Sequence, residues 1–228
     1  MSSLAIVGAG GHGRVIADAA QSGCWSSVEF YDDAWPGSGT RNGVWTIRGD
    51  MALLLERLDE YDGVIIGVGD NPIRARLQRR LLEAGAPLAC VVHPTAVVSR
   101  YAALGAGCAV FARAIVNAGA QIGAGVILNS GCTVEHDCVL EDFVHVGPNA
   151  GLGGGVHVGR RSWIGLGANV NHLIHIGSDS TIGSGATVVR DVADAMVAVG
   201  TPARSRPRRC PPAPGELGPA SAHPSRHS

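Results

Sequence analysis

Charge is scarce in this chain. Of 228 residues, 16% are charged, and the formal net charge is −1. Proteins that track nucleic acids need a basic excess to neutralise phosphates, so DNA and RNA are excluded as main partners. Long apolar runs are also missing: none approaches the roughly 18 residues of a membrane span. The apolar segment at residues 4–7 is too short for a secretory signal, and no charged region precedes it. The six cysteines show no C-x-x-C spacing. Cys108, Cys132 and Cys138 read as reduced core residues of a cytoplasmic protein. Glycine, by contrast, is plentiful at 33 residues, which suits a chain with many tight corners.

The dominant pattern is a period of six. An aliphatic residue stands at every sixth position from Val92 to Val188, through Val116, Val134, Val146 and Ile164, without a miss. Four residues after each one the side chain is small or aliphatic, as at Ala114, Cys132, Cys138, Ala150 and Ser162. Fixed-period self-similarity means one structural unit stacked on itself. Six fits neither a 3.6-residue helix nor simple strand alternation. It fits a solenoid of short strands and corners with the aliphatic residue pointing inward. The pattern resembles the hexapeptide-repeat acyltransferases, and that resemblance implies a left-handed parallel β-helix of triangular section with three hexads per coil. Residues 18 apart would then stack about 4.8 Å apart.

Residues 1–90 form a different domain. Apolar strands are expected at residues 4–7, 28–31, 64–67 and 88–92, with helices at 14–21, 51–58 and 73–84. This β-α-β alternation, with a glycine-rich first turn, is a small Rossmann-like α/β unit. The turn Gly8-Ala9-Gly10-Gly11-His12-Gly13 formally matches G-x-G-x-x-G, and an acid follows about 20 residues on at Asp32. A dinucleotide site and a nucleotide-sugar site are both open on this evidence, as is a purely structural turn. The ligand readings share one physical content, phosphate or sugar held against backbone N–H groups at a helix N-terminus.

The two parts together resemble a narrower group, the bacterial sugar O- and N-acetyltransferases. These are related to sialic acid O-acetyltransferase and to N-acetyltransferases of nucleotide-linked 4-amino-4,6-dideoxy sugars. The resemblance rests on the glycine-rich turn, on Tyr31-Asp32-Asp33, and on Gly67-Val68-Gly69-Asp70-Asn71 with Arg74. It also rests on Glu135-His136-Asp137, Phe143-Val144-His145-Val146 and Gly200-Thr201-Pro202-Ala203. It implies an N-terminal nucleotide-sugar domain (1–90), a catalytic β-helix that binds acetyl-CoA (91–204), and a homotrimer with active sites between subunits. It implies that Gly10, His12, Gly13, Asp32, Asp33 and Asn71 line the nucleotide-sugar pocket.

Acetyl transfer to an amine requires a base for the amine proton, donors for the carbonyl oxygen as it turns negative, and alignment of both substrates. Histidine titrates near neutrality and suits the first task. His136 falls near a corner, where its ring leaves the core, and it matches the family's catalytic histidine. Asp137, or failing it Glu135, would orient that ring. The resemblance places Asn129 on the substrate side and His145 at the thioester. Gly153-Gly154-Gly155 would present backbone N–H groups to the acyl oxygen, with Gly154 as the matched donor and Gly155 beside it. Arg190 and Arg204 would meet the phosphates of coenzyme A. No metal is required.

Three other readings stay open. A zinc enzyme of the γ-carbonic-anhydrase type would use histidines from stacked coils. His136 and His172 are spaced 36, and His157 and His175 are spaced 18, but Gly177 stands where that family's third histidine lies. A nucleotide-sensing domain on an inert solenoid is a second. O-acetylation of sialic acid is a third. Residues 205–228 carry six prolines and read as a disordered arm.

Overall fold

The computed structural model describes residues 2–37 and 39–208. The first part is a sheet of β1 (Ser3–Val7), β2 (Ser27–Tyr31), β3 (Arg41–Asn42), β4 (Trp45–Gly49) and β5 (Gly63–Ile66) in the order β3-β4-β2-β1-β5. All its pairings are parallel except the β3–β4 hairpin. The helices are α1 (Gly11–Ser22), α2 (Met51–Glu56) and α3 (Asn71–Glu83). Strand β1 is apolar from Leu4 to Val7 because both its faces are covered there. Leu4 and Ile6 pack with Ile16 of α1 on one face; Ala5 and Val7 pack with Leu54 and Leu81 on the other.

Two sequence expectations differ from the structure here. The hairpin at residues 41–49 was not expected; its signal is the two-residue loop Gly43-Val44, with glycine at the first position where φ is +66°. The expected strand at 88–92 is divided. Leu88 makes an isolated bridge to Val64, whereas Val91–Val92 pairs with Ala109–Val110 and already belongs to the solenoid. The first sheet's core continues across the junction, since Leu4, Ile6 and Ile16 share a cluster with Val91, Ala109, Phe111 and Ile127.

The solenoid is a left-handed parallel β-helix. Two-residue strands pair with strands 18 residues away, as Ile115–Val116 does with Thr133–Val134. Three faces result. Face 1 runs from Val97–Val98 to Thr187–Val188, face 2 from Ala103–Leu104 to His175–Ile176, and face 3 from Val91–Val92 to Thr181–Ile182. The aliphatic series from Val110 to Val188 is buried, and its members form one column with the small-slot residues. Each such side chain contributes on the order of 1.5–3 kcal/mol. The first three members are the exceptions, Val92 being 38% exposed and Val98 and Leu104 half-buried, because no coil lies beneath the first one.

Polar small-slot residues turn their donors to corner carbonyls 15 residues on. Cys90 Sγ donates to Gly105 O, Cys108 Sγ to Gly123 O, Cys138 Sγ to Gly153 O and Ser162 Oγ to Gly177 O. The corners share one device: every sixth residue from Gly107 to Gly185 has φ between +54° and +77°. Glycine fills half of these positions. Arg113, Asp137, Phe143, Asn149, Arg161, Leu173 and Asp179 fill the rest, at a cost of about 1–2 kcal/mol each.

The chain ends face 3 with a hairpin of Met196–Val199 and Arg204–Pro207. This corrects the expected boundary at Arg204, since the strand carries the solenoid through Pro207. Ladder hydrogen bonds hold residues 205–207 there, which low apolar content alone did not reveal. The remainder of the expected arm, residues 209–228, lies outside the described residues.

Candidate active site

His136 stands on the corner between faces 1 and 2. Its side chain is 67% exposed, and its Nδ1 lies 2.8 Å from Asp137 Oδ2. That contact orients the ring and leaves Nε2 free. A Cβ on Gly154, one coil further on, would overlap the imidazole at Nε2, so the ring rests on bare backbone. Within the glycine triplet, Gly153 N–H donates to Val170 O and Gly155 N–H to His136 O. Gly154 N–H has no acceptor among the described residues. Gly155, expected as a second acyl-oxygen donor, is corrected: its N–H belongs to the ladder that joins each corner to the coil before it. Glu135 is corrected likewise. Its Oε2 accepts from Asn117 Nδ2 at 2.7 Å, on face 1, so Asp137 alone orients His136.

Residues 18 apart on this corner form an edge of His136, Gly154, His172 and Arg190. Arg190 is exposed there, about 14 Å from His136 at three coil spacings. Arg204 is exposed on the terminal hairpin and makes no ion pair among the described residues.

Other expected residues gather where the first domain meets face 3. Asn129 Nδ2 lies 3.2 Å from His145 Nε2. The His145 ring also lies 6.0 Å from that of His12 and 6.4 Å from that of Trp163. Burial, then the Arg74 charge, then His12, push the His145 pKa down to about 3, against the pull of a hydrogen bond with the Gly69 backbone. His12 packs its edge on Phe111 at 5.4 Å. Burial and Arg74 push its pKa down to about 4, and its Nε2 is buried without a partner among the described residues. Both rings are therefore neutral at pH 7. A cavity of about 320 Å³ opens beside His145, lined also by Gly69, Asp70, Asn71, Arg161 and Trp163 among others.

Arg74 holds this junction. It is 1% exposed and forms no ion pair with a carboxylate among the described residues. Its Nε donates to Gly125 O at 2.7 Å, Nη1 to Val68 O and Gly69 O, and Nη2 to Asn71 Oδ1 and Phe143 O. Burial pushes its pKa down to about 10, so it stays charged. Asn71, which lines the cavity, also joins the same clasp: its Nδ2 donates to Arg161 O and Ser162 O while its Oδ1 takes Arg74.

The glycine-rich turn divides by role. Gly10 is the N-cap of α1, and a Cβ there meets nothing within 4 Å; this end is open to an anion. Gly13 is corrected to a packing residue, since a Cβ would overlap Gly8 O and press on Phe30. Asp32 Oδ2 accepts from Ala9 N–H at 2.7 Å and Oδ1 from Ala34 N–H at 2.9 Å. The carboxylate thus shapes the turn and keeps further lone pairs for a ligand. Asp33 Oδ1 accepts from Met51 N–H at 3.0 Å. Asn42 of the unexpected hairpin reaches Gly10 O at 3.3 Å.

His157 and His175 stack as their spacing predicts, with centroids 4.6 Å apart and planes 8° from parallel. Gly154 separates His136 from His172 along their edge. Among the described residues no group of three or more His, Cys, Asp or Glu side chains is placed to share a metal ion.

Residues 3–81 match the PglD N-terminal domain family. A curated relative, the UDP-N-acetylbacillosamine N-acetyltransferase of Bacillus subtilis, is 37% identical over 115 residues, which is 49% of this chain and 52% of that protein. The match therefore spans about half the length of the curated relative. Among solved structures, one relative is a histidine-to-asparagine variant of perosamine N-acetyltransferase from Caulobacter crescentus, in complex with CoA and GDP-perosamine. It superposes with a TM-score of 0.85 at 35% identity, over 91% of this chain and 98% of that one. The acetyltransferase domain of PglB from Neisseria gonorrhoeae, in complex with acetyl coenzyme A, gives 0.84 at 39% identity, over 90% and 98%.

Proposed function

This chain belongs to the nucleotide-sugar N-acetyltransferase family, and from that premise we propose that it moves the acetyl group of acetyl-CoA to the 4-amino group of a nucleotide-linked 4-amino-4,6-dideoxy sugar. The observation that carries the reading is the His136–Asp137 pair, with a free Nε2 beside the free N–H of Gly154.

In this mechanism the sugar amine attacks the thioester carbonyl carbon, and His136 Nε2 takes the amine proton. Asp137 supports the imidazolium that forms. Gly154 N–H faces the oxygen as it turns negative. The C–S bond then breaks, and His136 returns the proton to the departing thiolate. The turn at Gly10, with Asp32 and Asp33, receives the nucleotide end of the sugar. Arg190 and Arg204 face the phosphates of coenzyme A.

We propose a homotrimer as the working unit, with the active sites between subunits. Within one chain His136 and the Asn129–His145 pair stand at opposite ends of the face 1 strands, so a second copy is needed to bring them together. Among the described residues no helix is long and apolar enough to cross a membrane, and the five described cysteines are free thiols. Both facts fit a cytoplasmic enzyme.

The test is thiol release from acetyl-CoA against UDP-, dTDP- and GDP-linked 4-amino-4,6-dideoxyhexoses and against sialic acid. Turnover with one amino sugar supports the reading. Turnover with sialic acid alone moves it to O-acetylation, and absence of turnover across the panel removes it.

A further inference from the structure

Asp137 is 74% exposed, and its side chain touches one hydrogen-bonding partner among the described residues, His136. An exposed contact of this kind contributes little by itself. Something else must hold the carboxylate beside the ring. Directly below, one coil earlier, is Gly119. A Cβ on Gly119 would overlap Asp137 Oδ1. The carboxylate therefore sits on a bare Cα, with Oδ2 turned sideways to His136 Nδ1. The Asp137 backbone is anchored to the same place, since its N–H donates to Ala118 O at 3.1 Å.

The fold contains its own control. Asp179 occupies the equivalent left-handed corner position, and the residue 18 before it is Arg161 rather than glycine. There the carboxylate is drawn down into two hydrogen bonds, from Arg161 Nε at 2.7 Å and from Nη2 at 2.6 Å. A positive φ does not demand glycine at this register, since seven corners carry other residues. What glycine at 119 provides is the absence of a side chain that would displace or capture Asp137.

We propose that Gly119 is a positioning residue for the proposed acetyl transfer, and that its missing side chain keeps Asp137 committed to His136. This rests on the reading of His136 as general base. The test compares Gly119→Ala and Gly119→Arg with Asp137→Ala, with the double variant Gly119→Arg/Asp137→Ala, and with Gly131→Ala as the structural control. Gly131 has φ +69°, and a Cβ there would overlap Asn149 in the same way.

In the expected result, Gly119→Arg lowers kcat about tenfold or more, a part of the ~10²–10⁴ of a general base. Both KM values hold. The double variant is no slower than Asp137→Ala, and Gly131→Ala loses comparable thermal stability while keeping kcat. If Asp137→Ala is impaired but folded Gly119→Arg is not, the proposal is overturned and the His136 reading stands. An equal further loss in the double variant also overturns it, by showing a role independent of Asp137. If Asp137→Ala turns over normally, the Gly119 proposal falls, while the His136 reading stands or falls on His136→Ala.

Discussion

The His136 edge and the Arg74 junction obtain ordered polar groups by opposite means. At the edge the side chains are mostly exposed, and order comes from backbone shape and from missing Cβ atoms at Gly119 and Gly154. At the junction the side chains are buried, and order comes from giving every side-chain N–H of Arg74 and Asn71 an acceptor. Substitution of the exposed side chains at the edge should therefore change rate with little change in stability, and substitution at the junction should do the reverse.

The largest expected effect is at the edge. His136→Ala should lower kcat by roughly 10²–10⁴-fold and leave the thermal midpoint near wild type; a folded variant with normal turnover would end the general-base reading. Next comes the junction. Arg74→Met removes the donors from four carbonyls and the Asn71 amide, at about 3 kcal/mol or more by unsatisfied buried acceptors. Arg74→Lys should not restore it, because one ammonium cannot reach a planar fork of acceptors. Urea unfolding measures both, and an Arg74→Met midpoint equal to wild type would break the comparison.

A pH experiment separates the regions further. The folded pKa values of His12 and His145, about 4 and about 3, lie below the ordinary 6.5. The unfolded chain therefore binds more protons below pH 6.5, and stability rises with pH there. Stability should be full above about pH 6.5, fall as pH drops through about 4 and then about 3, and level off below. His145→Gln should flatten part of that slope, seen in denaturation midpoints between pH 7 and pH 4; an unchanged slope would show that the ring is not held neutral. The smallest effect is expected at Arg190→Ala, where KM for acetyl-CoA should rise a few-fold, consistent with about 1 kcal/mol for an exposed charge contact, with kcat unchanged. An unchanged KM would take Arg190 out of the coenzyme site.

Legibility followed the same division. The solenoid could be read because each hexad repeats one local requirement, and the burial from Val110 to Val188 obeys it. The β-strands and helices of the first domain could be read from apolar runs, but the Arg41–Asn42 hairpin was too short to show periodicity. Among the proposed site residues, the pairing of His136 with Asp137 is adjacent in sequence and was expected. The commitment of Glu135 to Asn117 depends on a coil-to-coil register that only stacking sets. Gly13 and Gly155 lie in matching motifs, and motifs do not distinguish a residue that meets ligand from one that supports it.

The sequence by itself determined the coil, its period and the inward column, because those follow from hydrophobic spacing repeated without interruption. Only the tertiary structure decided that Arg74 would saturate carbonyls at Gly125 and Phe143, 51 and 69 residues away. It also decided that Gly119 would lie beneath Asp137. Such contacts depend on which atoms face each other after the coils stack and the first domain docks, and periodicity is silent on that.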